Sequence, residues 1–460
     1  MAIAKKLIVW ILTLESRVIL RRQKPFVVAV TGSVGKTAAK DAIYDVLKGR
    51  SRCVRKSEKS LNSEIGLPLT VIGAPTAWRS LAGWSRNLIV GLRTALARRG
   101  SYPDRLVLEV GADHPGDIER VTRWLKPDIA VIARISRTPV HVEFFRSPEQ
   151  VFKEKAFLAA AVKPGGSLVL YADDPKIASL GDGASAKGVK SLTYGLSESA
   201  SVRAAGLEAL YDGEENRVWK VEGGLGAVSN GFAFSPASRR SPIGMSFSLR
   251  IGTESAPVEI RGGLGIGYVY SYLAAAAVGA ATGVGIADIA AALSASRPPR
   301  GRMNIIPGLN GSTLVDDTYN SSPDAAEAAL EAVKGLECAG ARIAVLGDMM
   351  ELGSYAAEEH RRIGALAAKA VQRLYTVGPR SRLTADEALK AGMPADMVRS
   401  FDTADEAAAH VAKEAAAGDV ILVKGSQSVR MERVSKALLA EPSRAAELLV
   451  RQEREWLEKK

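Results

Sequence analysis

Val27-Val28-Ala29-Val30-Thr31-Gly32-Ser33-Val34-Gly35-Lys36-Thr37 is the stretch that decides the fold. Strand-forming side chains run into a glycine turn, and a Gly-Lys-Thr then opens a helix over 38–48. Such a loop aims several backbone N–H groups and a helix N-terminus at one point, the arrangement a triphosphate requires. Gly32, Ser33, Val34 and Gly35 form the cradle, Lys36 reaches the β- and γ-phosphates, and the Thr37 hydroxyl is placed for Mg²⁺. The commoner loop of this type keeps four residues between its first glycine and the Gly-Lys pair. Here that first position is Val30, so the pattern is Thr-Gly-x-x-Gly-Lys-Thr. A glycine turn with a chance Gly-Lys-Thr is the plainer alternative; strand before, helix after and compact spacing favour nucleotide binding.

The 460 residues suffice for two or three domains, and 47% hydrophobic with 24% charged residues is an ordinary globular composition. Cys53 and Cys338 form no spacing pattern, which points to a reducing cytoplasm rather than a disulfide framework. Four histidines leave little room for an imidazole-built zinc site. The net charge of +12 comes without a nucleic-acid motif, so no nucleic-acid partner is expected. The charge is concentrated locally. Lys5, Lys6, Arg17, Arg21, Arg22 and Lys24 surround an apolar run over 7–12, and residues 1–24 read as a basic amphipathic helix. In a second segment, 78–99, Leu81, Trp84, Leu88, Leu92 and Leu96 recur at helical spacing among Arg79, Arg86, Arg93, Arg98 and Arg99. The apolar run is far short of the roughly 20 residues that span a bilayer, and no small-residue cleavage site follows it. Two readings stay open: these segments lie on the inner face of an anionic membrane, or they dock on the protein's own core.

Strands at 106–110, 129–133 and 168–171 alternate with helices at 117–125 and 148–162, predicting a mostly parallel α/β sheet. Shorter alternating runs over 196–261 read as an antiparallel insertion, and a further insertion, containing the helical segment 78–99, is placed near 74–104. Helical periodicity returns at 268–281 and 286–294. Arg297-Pro298-Pro299-Arg300-Gly301 is the best linker. Beyond it, strands at 313–317, 343–348 and 420–425 form a second, Rossmann-like α/β unit, with ligand groups expected at the strand ends. The predicted organisation is a central ATP-binding domain over 25–297, a C-terminal domain over 298–440 and a charged C-terminal helix over 441–460.

Thr31 to Thr37, Asn62-x-Glu-Ile-Gly-Leu-Pro and Glu109-x-Gly-Ala-x-His-Pro-Gly resemble the central domain of Mur ligases. Asp316-Asp317-Thr318-Tyr319-Asn320-Ser321, Gly347-Asp348-Met349-x-Glu351-Leu352-Gly353 and Lys424-Gly425-Ser426 extend the resemblance through the C-terminal domain, over about 26–175 and 264–440. Within the family the pattern is most similar to the branch that adds D-alanyl-D-alanine to a UDP-muramoyl tripeptide. The resemblance implies an ATP-dependent carboxylate–amine ligase working through an acyl phosphate, in the cytoplasm and as a monomer. Its partners would be a cell-wall peptide precursor and an amino acid or dipeptide.

By the same resemblance, Thr37 and Glu109 hold the Mg²⁺ that bridges the β- and γ-phosphates, and His141 is a ligand of a second Mg²⁺. Lys155 matches a lysine carbamylated by CO₂, which turns an amine into an oxygen ligand suited to hard Mg²⁺; Lys153 competes for that role. Asn62, Arg302, Asp317, Tyr319 and Asn320 join the nucleotide-contacting set, while Lys424 and Ser426 lie near the substrates. Three features depart from the pattern. Only a basic helix precedes the phosphate loop, where the family carries a UDP-gripping domain. The adenine-side Gly-x-His-Asn reads Gly265-Ile266-Gly267-Tyr268, and Lys-Gly-Ser-Arg ends in Gln427. Two alternatives remain: a ligase of the same chemistry on another carboxylate, such as a glutamyl chain, and a nucleotide-binding partner protein without catalysis.

Overall fold

A computed structural model describes residues 2–58, 61–77, 80–98, 100–212 and 241–458. Trp78, Arg79, Arg99 and the stretch 213–240 of the expected insertion lie outside the described residues, as do the side chains of Lys5 and Leu81.

Nine strands form the first sheet: β1 Phe26–Thr31, β2 Val54–Lys56, β3 Arg105–Glu109, β4 Ile129–Ile132, β5 Ser167–Tyr171, β6 Lys190–Gly195, β7 Val202–Tyr211, β8 Pro242–Ile251 and β9 Glu254–Arg261, in spatial order β2-β3-β1-β4-β5-β6-β7-β8-β9. All pairs from β2 to β7 are parallel; β7, β8 and β9 pair antiparallel. β1 is buried almost throughout, as its unbroken apolar run requires of a strand covered on both faces. It lies between β3 and β4, so the chain leaving it enters the crevice where strand order reverses, the usual ligand position in open α/β sheets. Helix α1 (Ala2–Gln23) leads into β1, and α2 (Lys36–Lys48) follows it. α2 buries Ala39, Ala42, Ile43, Val46 and Leu47, one stripe at helical spacing, and packs on the helix Ile266–Ala281. Next come α3 (Gly66–Ile72), α4 (Leu81–Leu96), α5 (Asp117–Thr122) and α6 (Pro148–Ala160).

The second sheet contains β10 Asn304–Pro307, β11 Thr313–Asp317, β12 Arg342–Gly347, β13 Arg373–Val377, β14 Val398–Phe401 and β15 Val420–Lys424, in order β10-β11-β15-β12-β13-β14, with only β10 antiparallel. Register places Asp317, the last residue of β11, directly beside Lys424, the last of β15. The architecture is the mixed α/β arrangement read from the sequence, a large mostly parallel sheet followed by a second one.

Two expectations change. The 196–261 segment continues the first sheet through β7 to β9, because β7 pairs with β6, a strand not anticipated from sequence. The tail 441–460 is not one charged helix. Its described part breaks into the short turns Pro442–Arg444, Ala445–Leu448 and Arg454–Leu457, with Arg451 at φ 57° between them. The cause is a buried anchor: the Arg451 guanidinium meets Glu432 at 3.1 Å and donates to the Thr318 carbonyl at 2.9 Å and to that of Tyr319. Tying this side chain to a distant loop fixes the tail where a regular helix would carry it away.

Candidate active site

The turn after β1 is built by two glycines. Gly35 sits at φ 84°, a left-handed conformation that opens α2 and that side-chain-bearing residues disfavour. Gly32 runs so close to the chain leaving β4 that an added Cβ would lie 2.8 Å from the Ala133 Cβ. The Ser33 and Val34 N–H groups donate to the Arg134 carbonyl at 2.8 and 3.2 Å, pinning the loop against β4. Lys36 folds back over its own loop, donating to the carbonyls of Gly32 at 2.8 Å and Ser33 at 3.3 Å. Loss of solvent holds its pKa below the ordinary lysine value, against the opposing pull of Glu109.

Glu109 ends β3 beside this loop. Its Oε1 accepts from the Thr37 hydroxyl at 3.3 Å and the Asn62 amide at 3.4 Å, and its Oε2 lies 3.8 Å from the buried Lys40 amine. Hydroxyl, amide and carboxylate oxygens thus converge next to the phosphate loop, a donor set suited to a hard cation sharing phosphate oxygens. Among the described residues no group of three or more His, Cys, Asp or Glu has metal-holding geometry. An oxygen-ligated Mg²⁺ carried largely by phosphates needs none.

α6 opens on a Ser147 cap with Pro148 at its first turn, and it presents Lys155 to the same cleft. Lys155 is 3% exposed, and burial, reinforced by the positive charge of Lys36, lowers its pKa to about 7. Lys153, two residues earlier, is exposed on another face and does not line the cleft. Between them Glu154 accepts from the N–H groups of Gly116, Ile118 and Glu119 at 2.8, 2.6 and 3.1 Å, fixing α6 against the start of α5. The two lysine registers are therefore not interchangeable.

His141, at φ 69°, is held from both sides. Its Nδ1 is 2.7 Å from Glu351 and its Nε2 is 3.5 Å from Asp113. Glu351 follows β12, so this pair joins the two sheets, and the imidazole holds the Glu351 carboxyl below its usual range. The opposite wall comes from the second sheet. The Lys424 amine pairs with Asp317 at 2.6 Å and donates to the Asn320 carbonyl at 3.0 Å. The Arg302 guanidinium lies 4.1 Å from the centre of the Tyr319 ring, and the Tyr268 hydroxyl donates to the Arg302 carbonyl. Ser426 Oγ accepts from the Met350 N–H at 2.9 Å.

These walls enclose a cleft of about 680 Å³. All the positions nominated from sequence line it: Gly32 through Thr37, Asn62, Glu109, His141, Lys155, Arg302, Asp317, Tyr319, Asn320, Lys424 and Ser426. Sequence reasoning missed Asp113, Glu351, Arg430 and Trp456, which line it too. Asp113 and Glu351 stood as unremarked positions within quoted motifs. Trp456 carried no local signal; it reaches the cleft because its carbonyl accepts from Arg430 at 3.0 Å and because Arg451 anchors the tail.

Residues 30–232 match the family model of the Mur ligase middle domain, and 301–427 that of the Mur ligase glutamate ligase domain. The UDP-N-acetylmuramoyl-tripeptide–D-alanyl-D-alanine ligase of Bacillus subtilis is 28% identical over 417 residues, 90% of this chain and 76% of that protein. The Mycobacterium bovis protein of the same name is 30% identical over 435 residues, 90% of this chain and 73% of the relative. Among solved structures, the MurF ligase of Thermotoga maritima in complex with ADP aligns with a TM-score of 0.70 at 25% identity, covering 93% of this chain and 83% of that one. Mycobacterium tuberculosis folylpolyglutamate synthase shares the fold, with a TM-score of 0.59 at 14% identity over 91% and 93% of the two chains.

Proposed function

The chain belongs to the Mur ligase family of ATP-dependent amide-bond-forming enzymes, and we propose that it joins D-alanyl-D-alanine or a similar amine to the terminal carboxylate of a cell-wall muramoyl peptide. The reading is supported above all by one observation: Lys36 and Lys155 on one wall, and Arg302 on the other, face a single cleft. Carboxylate activation gathers three or more anionic groups, and cations arriving from both sides offset that crowding.

Bound ATP with Mg²⁺ supplies the phosphoryl group and neutralises its charge. The loop N–H groups from Gly32 to Thr37 hold the phosphates, and Lys36 exchanges its carbonyl partners for a phosphate oxygen. Thr37 and Glu109 would hold the cation, with Asn62 orienting the Glu109 carboxylate. Arg302, on Tyr319, faces the nucleotide from the second sheet. The substrate carboxylate oxygen bonds to the γ-phosphorus as ADP leaves; the amine then bonds to the acyl carbon, phosphate departs and the nitrogen loses a proton. Lys155, with a pKa near 7, has a large neutral fraction that can add to CO₂, and its carbamate oxygens would hold a second Mg²⁺ together with His141.

The test is product formation. Incubation with ATP, D-alanyl-D-alanine and muramoyl tripeptides should give ADP and phosphate only when amine and carboxylate are both present. The peptide mass should rise by one dipeptide less water. ATP consumption indifferent to both partners would remove the ligase assignment, and activity with glutamate on a glutamyl chain instead would reassign the carboxylate.

A further inference from the structure

Seven of the eleven large apolar side chains exposed among the described residues belong to two neighbouring helices, α1 and α4. On α1 they are Leu7, Trp10, Leu14 and Val18, spaced three or four apart, so they form one stripe along a helix. Leu12, Ser16 and Ile19, on the opposite side of the same helix, are fully buried. On α4 the exposed residues are Ile89, Leu92 and Leu96, at the same spacing, opposite the buried Asn87. The helices run side by side in the same direction. A methyl placed on Gly91 would lie 2.0 Å from the Glu15 carboxylate, and eight residues further along α1 the Gln23 amide donates to the Ala97 carbonyl at 3.1 Å. Docking on the protein's own core therefore accounts for one face of each helix and leaves the apolar stripe on the other exposed.

Charge identifies what the outward face fits. Residues 1–24 and 78–99 contain eleven lysines and arginines and one acid, so they carry most of the chain's net charge of +12. The one acid, Glu15, is turned inward against Gly91. Arg17, Arg21, Arg86 and Arg93 are exposed. By helical periodicity Arg21 continues the α1 stripe, and Arg86 and Arg93 border that of α4. A protein partner covering seven apolar side chains would meet them with an apolar patch and scattered acids. A face that interleaves aliphatic groups and a tryptophan with arginines, and holds its only carboxylate inside, matches an interface of acyl chains beneath anionic headgroups. No helix of the described residues is long and apolar enough to cross a membrane.

We infer that the α1–α4 face docks this protein peripherally on an anionic lipid bilayer, with Trp10, Leu14 and Leu92 entering the headgroup–acyl boundary and the arginines pairing with lipid phosphates. α1 ends at Gln23 and β1 begins at Phe26, so docking fixes the sheet that carries the phosphate loop at the membrane.

The full chain is sedimented with phosphatidylglycerol or phosphatidylcholine vesicles at low and high salt, with light scattering of the vesicle-free protein. Partitioning into phosphatidylglycerol should exceed that into phosphatidylcholine at least tenfold at low salt and fall at least tenfold at high salt. The triple variant Trp10→Ser, Leu14→Ser, Leu92→Ser should lose at least tenfold in partitioning while ATP turnover in solution is unchanged. The variant Arg17→Glu, Arg21→Glu, Arg93→Glu should lose the preference for the anionic lipid, and it decides the matter if the serine variant melts early. Equal partitioning into both vesicles, or variants that bind as the parent does, overturns the inference. So does a dimer that the serine variant dissociates without any vesicle binding, which assigns the face to a second copy.

Discussion

On the wall of the cleft formed by β1, β3 and α6, no carboxylate among the described residues is clamped to the amine of either lysine. Lys36 rests on the carbonyls of its own loop, and Lys155 is buried with its pKa lowered to about 7. On the wall formed by β11 and β15, Arg302 rests on the Tyr319 ring, but the two other cations are committed. Lys424 is locked to Asp317 at 2.6 Å, and Arg451 behind it to Glu432 at 3.1 Å. The first wall keeps under-compensated cations available to a ligand and accepts the cost of burying them, whereas the second uses its charges to hold two strand ends and the tail together. The difference teaches that identical residue types in one cleft divide into chemistry and scaffold according to whether the protein itself supplies the counter-charge.

The largest expected effect tests the first wall. Lys155→Ala should lower kcat by 10²–10³-fold or more, because a developing charge loses its ligand set, and short-chain carboxylates should restore part of the loss. Lys153→Ala should retain near-parental turnover. Steady-state kinetics on both variants, with and without added acetate, provides the check. An inactive Lys153→Ala beside an active Lys155→Ala would break the comparison on its catalytic side.

That lysine register shows how far the sequence reached. The phosphate loop was legible because its chemistry demands glycines and a lysine at fixed local spacing, and β1 because an apolar run of that length must be buried. Lys155 was legible through family pattern, while its exposure difference from Lys153 is a fact of helix phase against β4 and α5. Arg451 and Trp456 were illegible. Their composition reads as a charged helix; what places them is the contact of Arg451 with Thr318 and Tyr319, more than a hundred residues earlier, and the bond from Arg430 to the Trp456 carbonyl. For α1, amphipathic spacing marked an apolar helix but could not divide Leu12 and Ile19, inside, from Leu7 and Trp10, outside.

The second wall predicts a stability effect. Lys424→Met leaves Asp317 buried without its partner, which should cost about 3–5 kcal/mol in unfolding free energy. Adding Asp317→Asn should recover a large part of that, since the two side chains are directly coupled. Lys36→Met should leave stability within about 1 kcal/mol while abolishing turnover, since no carboxylate among the described residues is clamped to it. Urea titration of the parent and the three variants measures these differences, and equal destabilisation by Lys36→Met and Lys424→Met would erase the distinction between the walls.

Asp316 sharpens the comparison by giving the second wall a buried carboxyl with no cation paired to it among the described residues. Its Oδ1 accepts from the hydroxyls of Thr318 at 2.8 Å and Ser435 at 2.6 Å, and its Oδ2 is buried with no hydrogen-bond partner among the described residues. Burial raises its pKa to about 6; the two hydroxyls oppose the rise, and Asp317 and Glu432 add to it. The folded state therefore binds this proton more tightly than the unfolded chain, whose aspartate titrates near 3.9. Between those two values the native protein holds more protons than the unfolded one, so the contribution of Asp316 to stability falls as pH rises through the window. A gap of that size between folded and unfolded states corresponds to about 3 kcal/mol, an upper value for a single buried carboxyl. Asp316→Asn cannot titrate and should lack this component. Subtracting the variant's unfolding free energy from the parent's at pH 4, 5, 6 and 7 isolates it from the other acids. The difference should fall by roughly 2–3 kcal/mol over pH 4 to 6 and then level off. A flat difference across that range would mean that Asp316 is already ionised at pH 4, its charge compensated as Lys424 compensates Asp317, and neither aspartate at the end of β11 would then be an uncompensated carboxylate.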